Sequence, residues 1–266
     1  MNRRLLLAAG CLALLAVTSG CLGIGTGPVD GERLDSDPAA PYEWETNRTV
    51  HITVEENTQF RTVMTTNEST IELFRRDGFG GTNPLSVESV RYRYPNGTVL
   101  TGTEIRERGG EVRRTRDETI VELPREDPPD GSALAFTSEG TPKRFTLPTY
   151  VEGTYEVVLP PDRGIDFPIF GQVSPGGYDT FPDDDGQVHV IWTEPVTADT
   201  ISVRYYLERD LYIFGGIVAL VGVIGIGGLF YYRRKIEQLR KQREEMGIDV
   251  ETDDDEFDDG PPPGMR

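Results

Sequence analysis

From Arg48 to Leu207 apolar and polar residues alternate with a period of two in short runs, flanked on either side by one long apolar stretch. Val50-Ile52-Val54, Val90-Tyr92-Tyr94, Tyr155-Val157-Leu159, Val188-Val190-Trp192 and Ile201-Val203-Tyr205-Leu207 each put their large side chains on one side of an extended backbone. Such runs predict strands with one buried face. Gly, Pro, Asn and Asp separate them at the intervals of an all-β sandwich, and no amphipathic helical pattern competes in this region. Pro95-Asn96-Gly97 predicts a hairpin between Val90–Tyr94 and Val99–Ile105, with both Asn96 and Gly97 at positive φ. A second hairpin is expected near Arg116-Asp117-Glu118. The expectation is an immunoglobulin-like β-sandwich of about seven to nine strands over residues 47–208, with a small β-barrel as the alternative.

The flanking apolar stretches read as targeting and anchoring. Met1-Asn2-Arg3-Arg4 leads into apolar Leu5 to Val17, then Thr18-Ser19-Gly20 and Cys21. This order predicts a lipoprotein signal over 1–20, cut before Cys21, whose thiol carries the lipid. It resembles the bacterial and archaeal lipobox, with Thr18 where leucine is more usual. Arg3-Arg4 ahead of Leu5-Leu6-Leu7 also resembles a twin-arginine export signal. Residues 211–232 carry no charge; as a helix they extend roughly 33 Å, enough for a bilayer core of about 30 Å. Arg233-Arg234-Lys235 follow at once, which marks the cytoplasmic side and leaves the domain before the helix outside. Gly215, Ala219 and Gly222 share one helix face, either to let a second helix approach as partner or homodimer, or because glycine is common in membrane helices. Residues 21–46, rich in Gly, Pro and Asp, predict a flexible tether. Residues 233–247 predict a charged juxtamembrane helix and 248–266 a disordered acidic tail. Only Glu208-Arg209-Asp210 separate the last strand from the membrane span, so the domain is expected close to the bilayer.

Composition then sets the environment. The net charge is -18, and of 27 basic residues only Lys143, Lys235 and Lys241 are lysine. An acidic, arginine-for-lysine surface suits multimolar salt, where repulsion is screened within about 3 Å. It argues against nucleic acid as a partner. The two cysteines, Cys11 and Cys21, both fall in the leader region, within or just after the signal, so the outer domain has no disulfide. Asn47-Arg48-Thr49, Asn67-Glu68-Ser69 and Asn96-Gly97-Thr98 match the glycosylation acceptor pattern, which makes Asn47, Asn67 and Asn96 modification candidates.

Motifs that carry chemistry are missing. There is no Gly-rich phosphate loop, Gly-x-Ser-x-Gly elbow, CxxC or HExxH, so no catalytic, cofactor or metal residue is named. His51 and His189, the two histidines, read as surface or edge residues. Asp183-Asp184-Asp185-Gly186 after Asp179 reads as an acidic turn, since it lacks the alternate ligand spacing of a calcium loop. Arg106, Arg108, Arg113, Arg114 and Arg116 are expected either to touch anionic lipid or an acidic partner, or to pair with Glu107, Glu111 and Glu118. Residues 165–173, with Phe167, Ile169 and Phe170, are expected either to fold under the sandwich or to form an exposed contact patch.

Ser202 to Asp210 running into Tyr212-Ile213-Phe214-Gly215-Gly216, followed by Tyr231-Tyr232-Arg233-Arg234 and Arg243-Glu244-Glu245, resembles an uncharacterised family of haloarchaeal membrane lipoproteins. The resemblance brings no activity with it. With a double anchor and no catalytic motif, the expected role is a non-catalytic envelope module that binds or positions another membrane or cell-surface component. A membrane-bound enzyme acting through carboxylates on surface glycans, and an accessory domain that captures a small solute, are the competing expectations.

Overall fold

A computed structural model describes residues 25–124 and 128–246. The expected signal peptide, Cys21 and the acidic tail lie outside them. The chain forms two units, one ending at Glu208 and one beginning at Arg209. In the first, β1 (Gly27–Pro28) and α1 (Gly31–Asp35) precede β2 (Val50–Val54), β3 (Gln59–Thr65), β4 (Thr70–Arg76), β5 (Thr82–Pro84), β6 (Val87–Arg93) and β7 (Val99–Thr101). Then come α2 (Gly102–Glu107), β8 (Glu111–Arg114), β9 (Thr119–Glu122), β10 (Ala133–Glu139), β11 (Arg144–Pro148) and β12 (Tyr155–Val158). The last elements are β13 (Arg163–Gly164), β14 (Gln172–Ser174), β15 (Asp179–Pro182), β16 (Val188–Trp192), β17 (Thr200–Arg204), β18 (Tyr206–Leu207) and α3 (Glu208–Glu245).

The domain is mostly β and sandwich-like. An eight-stranded sheet runs β15-β16-β12-β2-β3-β10-β6-β7; a five-stranded sheet (β1-β8-β9-β4-β5), a three-stranded sheet (β11-β17-β14) and the pair β13-β18 complete it. Short strands pairing in these smaller sheets are why the strands outnumber the seven to nine expected. Ile52, Val157 and Val190 of the large sheet meet Leu73, Val112, Val121 and Val203 of the smaller ones in one core cluster, which closes around T-shaped Phe60 and Phe145 at 5.2 Å.

The alternation read from sequence explains only one face of β2. Val50, Ile52 and Val54 point to the core, yet His51 and Thr53 on the opposite face are buried as well. The cover is the segment expected to be a tether. Tyr42 Oη donates to Ser89 O at 2.7 Å and sits 2.9 Å from Thr137 Oγ1, while Arg61 Nη1 donates to Pro41 O at 2.5 Å. The segment is therefore ordered: its start pairs with β8, Leu34 joins the main core, and Tyr42 and Trp44 strap the outer face, supplying apolar area that a Gly/Pro/Asp count hides. Leu34, fully buried, packs beside Gly102, and Arg91 caps α1 by donating to the carbonyls of Leu34, Asp35 and Ser36 at 3.0–3.1 Å.

Two local expectations need correction. The run Val99–Ile105, expected as strand, turns helical after Thr101: Thr101 N donates to Glu104 Oε2 at 2.8 Å and Glu104 N to Thr101 Oγ1 at 3.4 Å. This capping box stands in the sequence as Thr101-Gly102-Thr103-Glu104 and overrides the β-branched propensity around it. The hairpin at Asn96-Gly97 does form, with Gly97 N donating to Tyr94 O at 2.9 Å, but only Gly97 has positive φ. Pro95 fixes the first central position of a type I turn, which puts Asn96 on the negative side. The hairpin at residues 115–118 forms as expected, pairing Arg114 with Thr119.

Strand register gives the large sheet two distinct ends. Val50, Thr65, Ala133 and Arg93 lie at one end; Val54, Gln59 and Glu139 lie at the other. The chain leaves the domain at this second end. β11 follows β10 by a short turn and pairs Arg144 with Arg204, and β18 pairs Leu207 with Arg163 just after β12.

In the second unit, α3 is one helix of 38 residues, about 57 Å long at 1.5 Å per residue. It is long and apolar enough to cross a membrane. The span expected at 211–232 and the charged helix expected after it are continuous, consistent with helix-favouring residues running from Arg233 to Glu245 without Gly or Pro.

Candidate functional site

Two arrangements gather polar groups from distant parts of the chain. On the outer face of the large sheet, β2, β12 and β16 lie side by side, so His51, Glu156 and His189 become neighbours. Glu156 Oε2 stands 3.2 Å from His51 Nδ1 and Oε1 stands 2.7 Å from His189 Nδ1. His51 Nε2 faces Glu43 at 3.4 Å and Thr53 Oγ1 at 3.3 Å; His189 Nε2 faces Asp183 Oδ2 at 3.2 Å, under the stacked ring of Phe181. Hydrogen bonds from His51, opposed by burial and joined by those from His189, hold the Glu156 carboxyl down at about 2. Burial opposes charging of His189, yet its hydrogen bonds to the Glu156 and Asp183 carboxylates leave its pKa raised. A carboxylate held so firmly ionised is unsuited to donate a proton near neutrality. Neither histidine is the surface or edge residue expected. Their pairing depends on a parallel β2–β12 contact that no local pattern announces.

The acidic turn is tied into the same network. Asp183 Oδ1 accepts from Asp185 N at 3.0 Å and Gln187 N at 2.8 Å, which closes the β15–β16 hairpin. Among the described residues no group of three or more His, Cys, Asp or Glu is arranged to hold a metal ion.

The second arrangement is a cavity of about 390 Å³ between the β4–β5 hairpin and β11, an edge strand of its sheet. Ile71 and Leu73 on β4 point inward, and Arg75 continues that row with its guanidinium 5.8 Å over the Phe60 ring. Arg75 Nε is buried without a hydrogen-bond acceptor, and burial lowers its pKa. Arg144 on β11 and Arg76 complete the basic lining; Arg76 reaches Asp199 at 3.6 Å. Sequence reading pointed instead to Arg106–Arg116, much of which is already engaged. Arg106 donates to Val29 O and Val112 O, and Arg113 pairs with Glu111 and Glu122 at 3.7 and 3.4 Å. Arg75 and Arg144 escape notice because they meet only through tertiary packing.

The remaining sequence candidates separate clearly. Asn47, Asn67 and Asn96 are all exposed, in the loops before β2, after β3 and between β6 and β7. The register places all three at the end of the sheet opposite the chain's exit at Glu208. Of the 165–173 segment, Ile165 enters the core while Ile169 is 61% exposed. Phe167 and Phe170 are half-buried with rings 5.6 Å apart, and Phe170 lies 6.2 Å from Tyr206 beside that exit. The segment is thus core at one end and surface at its tip. Gly215, Ala219 and Gly222 are exposed on α3.

No curated protein matches the sequence. A family model described as a family of unknown function (DUF5803) matches residues 46–251, taking in all of the domain from β2 onward and the whole of α3. The chain belongs to this DUF5803 family.

Proposed function

We propose that this chain is a non-catalytic envelope protein of a halophilic archaeon, tethered by a lipid on Cys21 and by α3. Its immunoglobulin-like domain is outside and its C-terminal tail is in the cytoplasm, and the domain binds or positions another membrane or cell-surface component. The observation that carries the reading is the polarity of the domain. The chain exits at one end of the large sheet, where half-exposed Phe167 and Phe170 and exposed Ile169 lie, and three exposed acceptor asparagines lie at the opposite end. A domain with an apolar base and a modifiable far end suits a protein standing on a bilayer. Arg233-Arg234-Lys235 after the span supports an outward-facing domain. The net charge of -18 with only three lysines supports a saline habitat.

The test is cross-linking in living cells, purification through a C-terminal tag in high salt, and mass spectrometry of the recovered material. A reproducible envelope protein is expected. A clean monomer or homodimer would overturn the positioning role and favour a second reading, capture of a small solute, which the arginine-lined cavity supports.

A further inference from the structure

We infer that the cavity between the β4–β5 hairpin and β11 binds a phosphate group, held by the guanidiniums of Arg75 and Arg144. The inference rests on the binding role proposed above and names the chemistry of what is bound.

A half-buried guanidinium loses hydration that an opposite charge or a set of acceptors must replace. Arg75 is such a group: its guanidinium lies over the Phe60 ring and its Nε is buried without a hydrogen-bond acceptor, while Arg144, exposed at the cavity mouth, makes no side-chain hydrogen bond or ion pair among the described residues. In a chain of charge -18, carboxylates to neutralise them are abundant. The cavity's own acid is held by its hairpin and pairs with neither arginine: Asp77 Oδ1 accepts from Phe79 N at 2.9 Å and Gly81 N at 2.7 Å. The charge of Glu139 favours the ionised Arg75, but Glu139 makes no hydrogen bond or ion pair with it. Arg76, with its loose contact to Asp199, adds a third positive group at the rim. One carboxylate satisfies one guanidinium, whereas a phosphate offers more oxygens and up to two charges to a cluster, and arginine's fork matches its geometry. The volume of about 390 Å³ leaves room for the rest of a small phosphorylated molecule or a headgroup. Concentrated salt screens long-range attraction but leaves short, charge-assisted hydrogen bonds inside a cavity largely intact.

The phosphate can come from a soluble solute or from a lipid headgroup, and Phe79 separates the two. It is fully exposed at the tip of the β4–β5 hairpin between Gly78 and Gly80, next to the cavity lining. A headgroup bound at the arginines would bring this ring to the bilayer interface, where aromatic side chains are favoured. A free solute would leave it idle.

The experiment uses the full chain in phosphatidylcholine nanodiscs at constant high KCl, titrated calorimetrically with inorganic phosphate. The wild type is expected to bind, and Arg144→Gln, on an exposed edge-strand position, to bind about tenfold more weakly or worse while keeping its circular dichroism. Arg75→Gln should do the same, and Arg144→Gln keeps the test valid if that variant misfolds. Phosphatidylglycerol in the disc that displaces phosphate, with displacement weakened by Phe79→Ser, identifies the headgroup as the source. Phosphate binding indifferent to phosphatidylglycerol identifies a soluble one. Absence of a phosphate isotherm in folded wild type, or equal affinity in wild type and Arg144→Gln, overturns the site. Recovery of a cross-linked envelope partner alongside that failure would leave the binding role standing.

Discussion

The Glu156 carboxylate stands 2.7 Å from His189 Nδ1, across the β12–β16 pair, and the same carboxylate reaches His51 on the other side. Glu156 has its pKa depressed to about 2, so its contribution to stability is complete above the ordinary carboxylate range and is lost as pH falls towards 2. His189 has its pKa raised, so its contribution is complete below about 6.5 and is lost as pH rises through the raised value. The two limbs enclose a plateau from roughly pH 4.5 to 6.5. Glu156→Gln should lower stability there by about 1–3 kcal/mol and flatten both limbs. Thermal midpoints of wild type and variant from pH 3 to 9, at fixed KCl, check this. Parallel curves would mean that the network does not couple protonation to folding.

Gly102 opens α2 where a Cβ would come within 2.5 Å of Leu34 Cβ. Gly102→Ala should therefore loosen α1 and the strap behind it, at a cost of about 1–3 kcal/mol typical of overpacking. Leu34→Ala, which removes a fully buried side chain, should cost about 2–5 kcal/mol. Denaturant unfolding followed by the fluorescence of Trp44 and Trp192 reads both. Wild-type stability in the two variants together would show that the segment before β2 adds little to the fold.

Much of the architecture was legible because period-two patterns report burial directly. Val188-Val190-Trp192 and Tyr155-Val157-Leu159 mark strands whose neighbours need not be known. The strap was illegible for the opposite reason. Tyr42 and Leu34 are isolated apolar residues among polar ones, and only the sheet face waiting for Tyr42 and the α2 surface waiting for Leu34 make them core. The candidate sites were hidden by distance in sequence: Glu156 lies between histidines far on either side, and Arg75 meets Arg144 only once β4 has packed near β11. The helix α2 could have been found from its capping box, which competed with an alternation that ran on past Thr101.

Asn47, Asn67 and Asn96 are exposed at one end of the sheet, and Asn96 Oδ1 accepts from Thr98 N at 3.0 Å. A glycan on any of them would project away from the point where the chain leaves the domain. Mass spectrometry of protein purified from its native host should find hexose-bearing peptides at one or more of the three. Asn→Gln at Asn47 and Asn67 should remove that mass with less than about 0.5 kcal/mol effect on folding, as expected for surface positions. Unmodified peptides at all three sites would remove the modifiable far end from the argument for orientation.

The two proposed anchors differ in strength, which makes a further separable prediction. A single lipid chain holds a protein only marginally, whereas a helix with the length and apolarity of α3 holds it effectively irreversibly. Cys21→Ser should therefore abolish the lipid mass and leave the protein in the membrane pellet after a high-salt wash. Val221→Arg with Ile224→Arg places two charges near the middle of the apolar stretch, each costing about 2.5–3.5 kcal/mol at a bilayer centre. That double variant should lose stable insertion while Cys21 is intact, and adding Cys21→Ser should release it to the soluble fraction. If Cys21→Ser alone released the protein, α3 would not be the span that holds it, and retention would belong to the lipid.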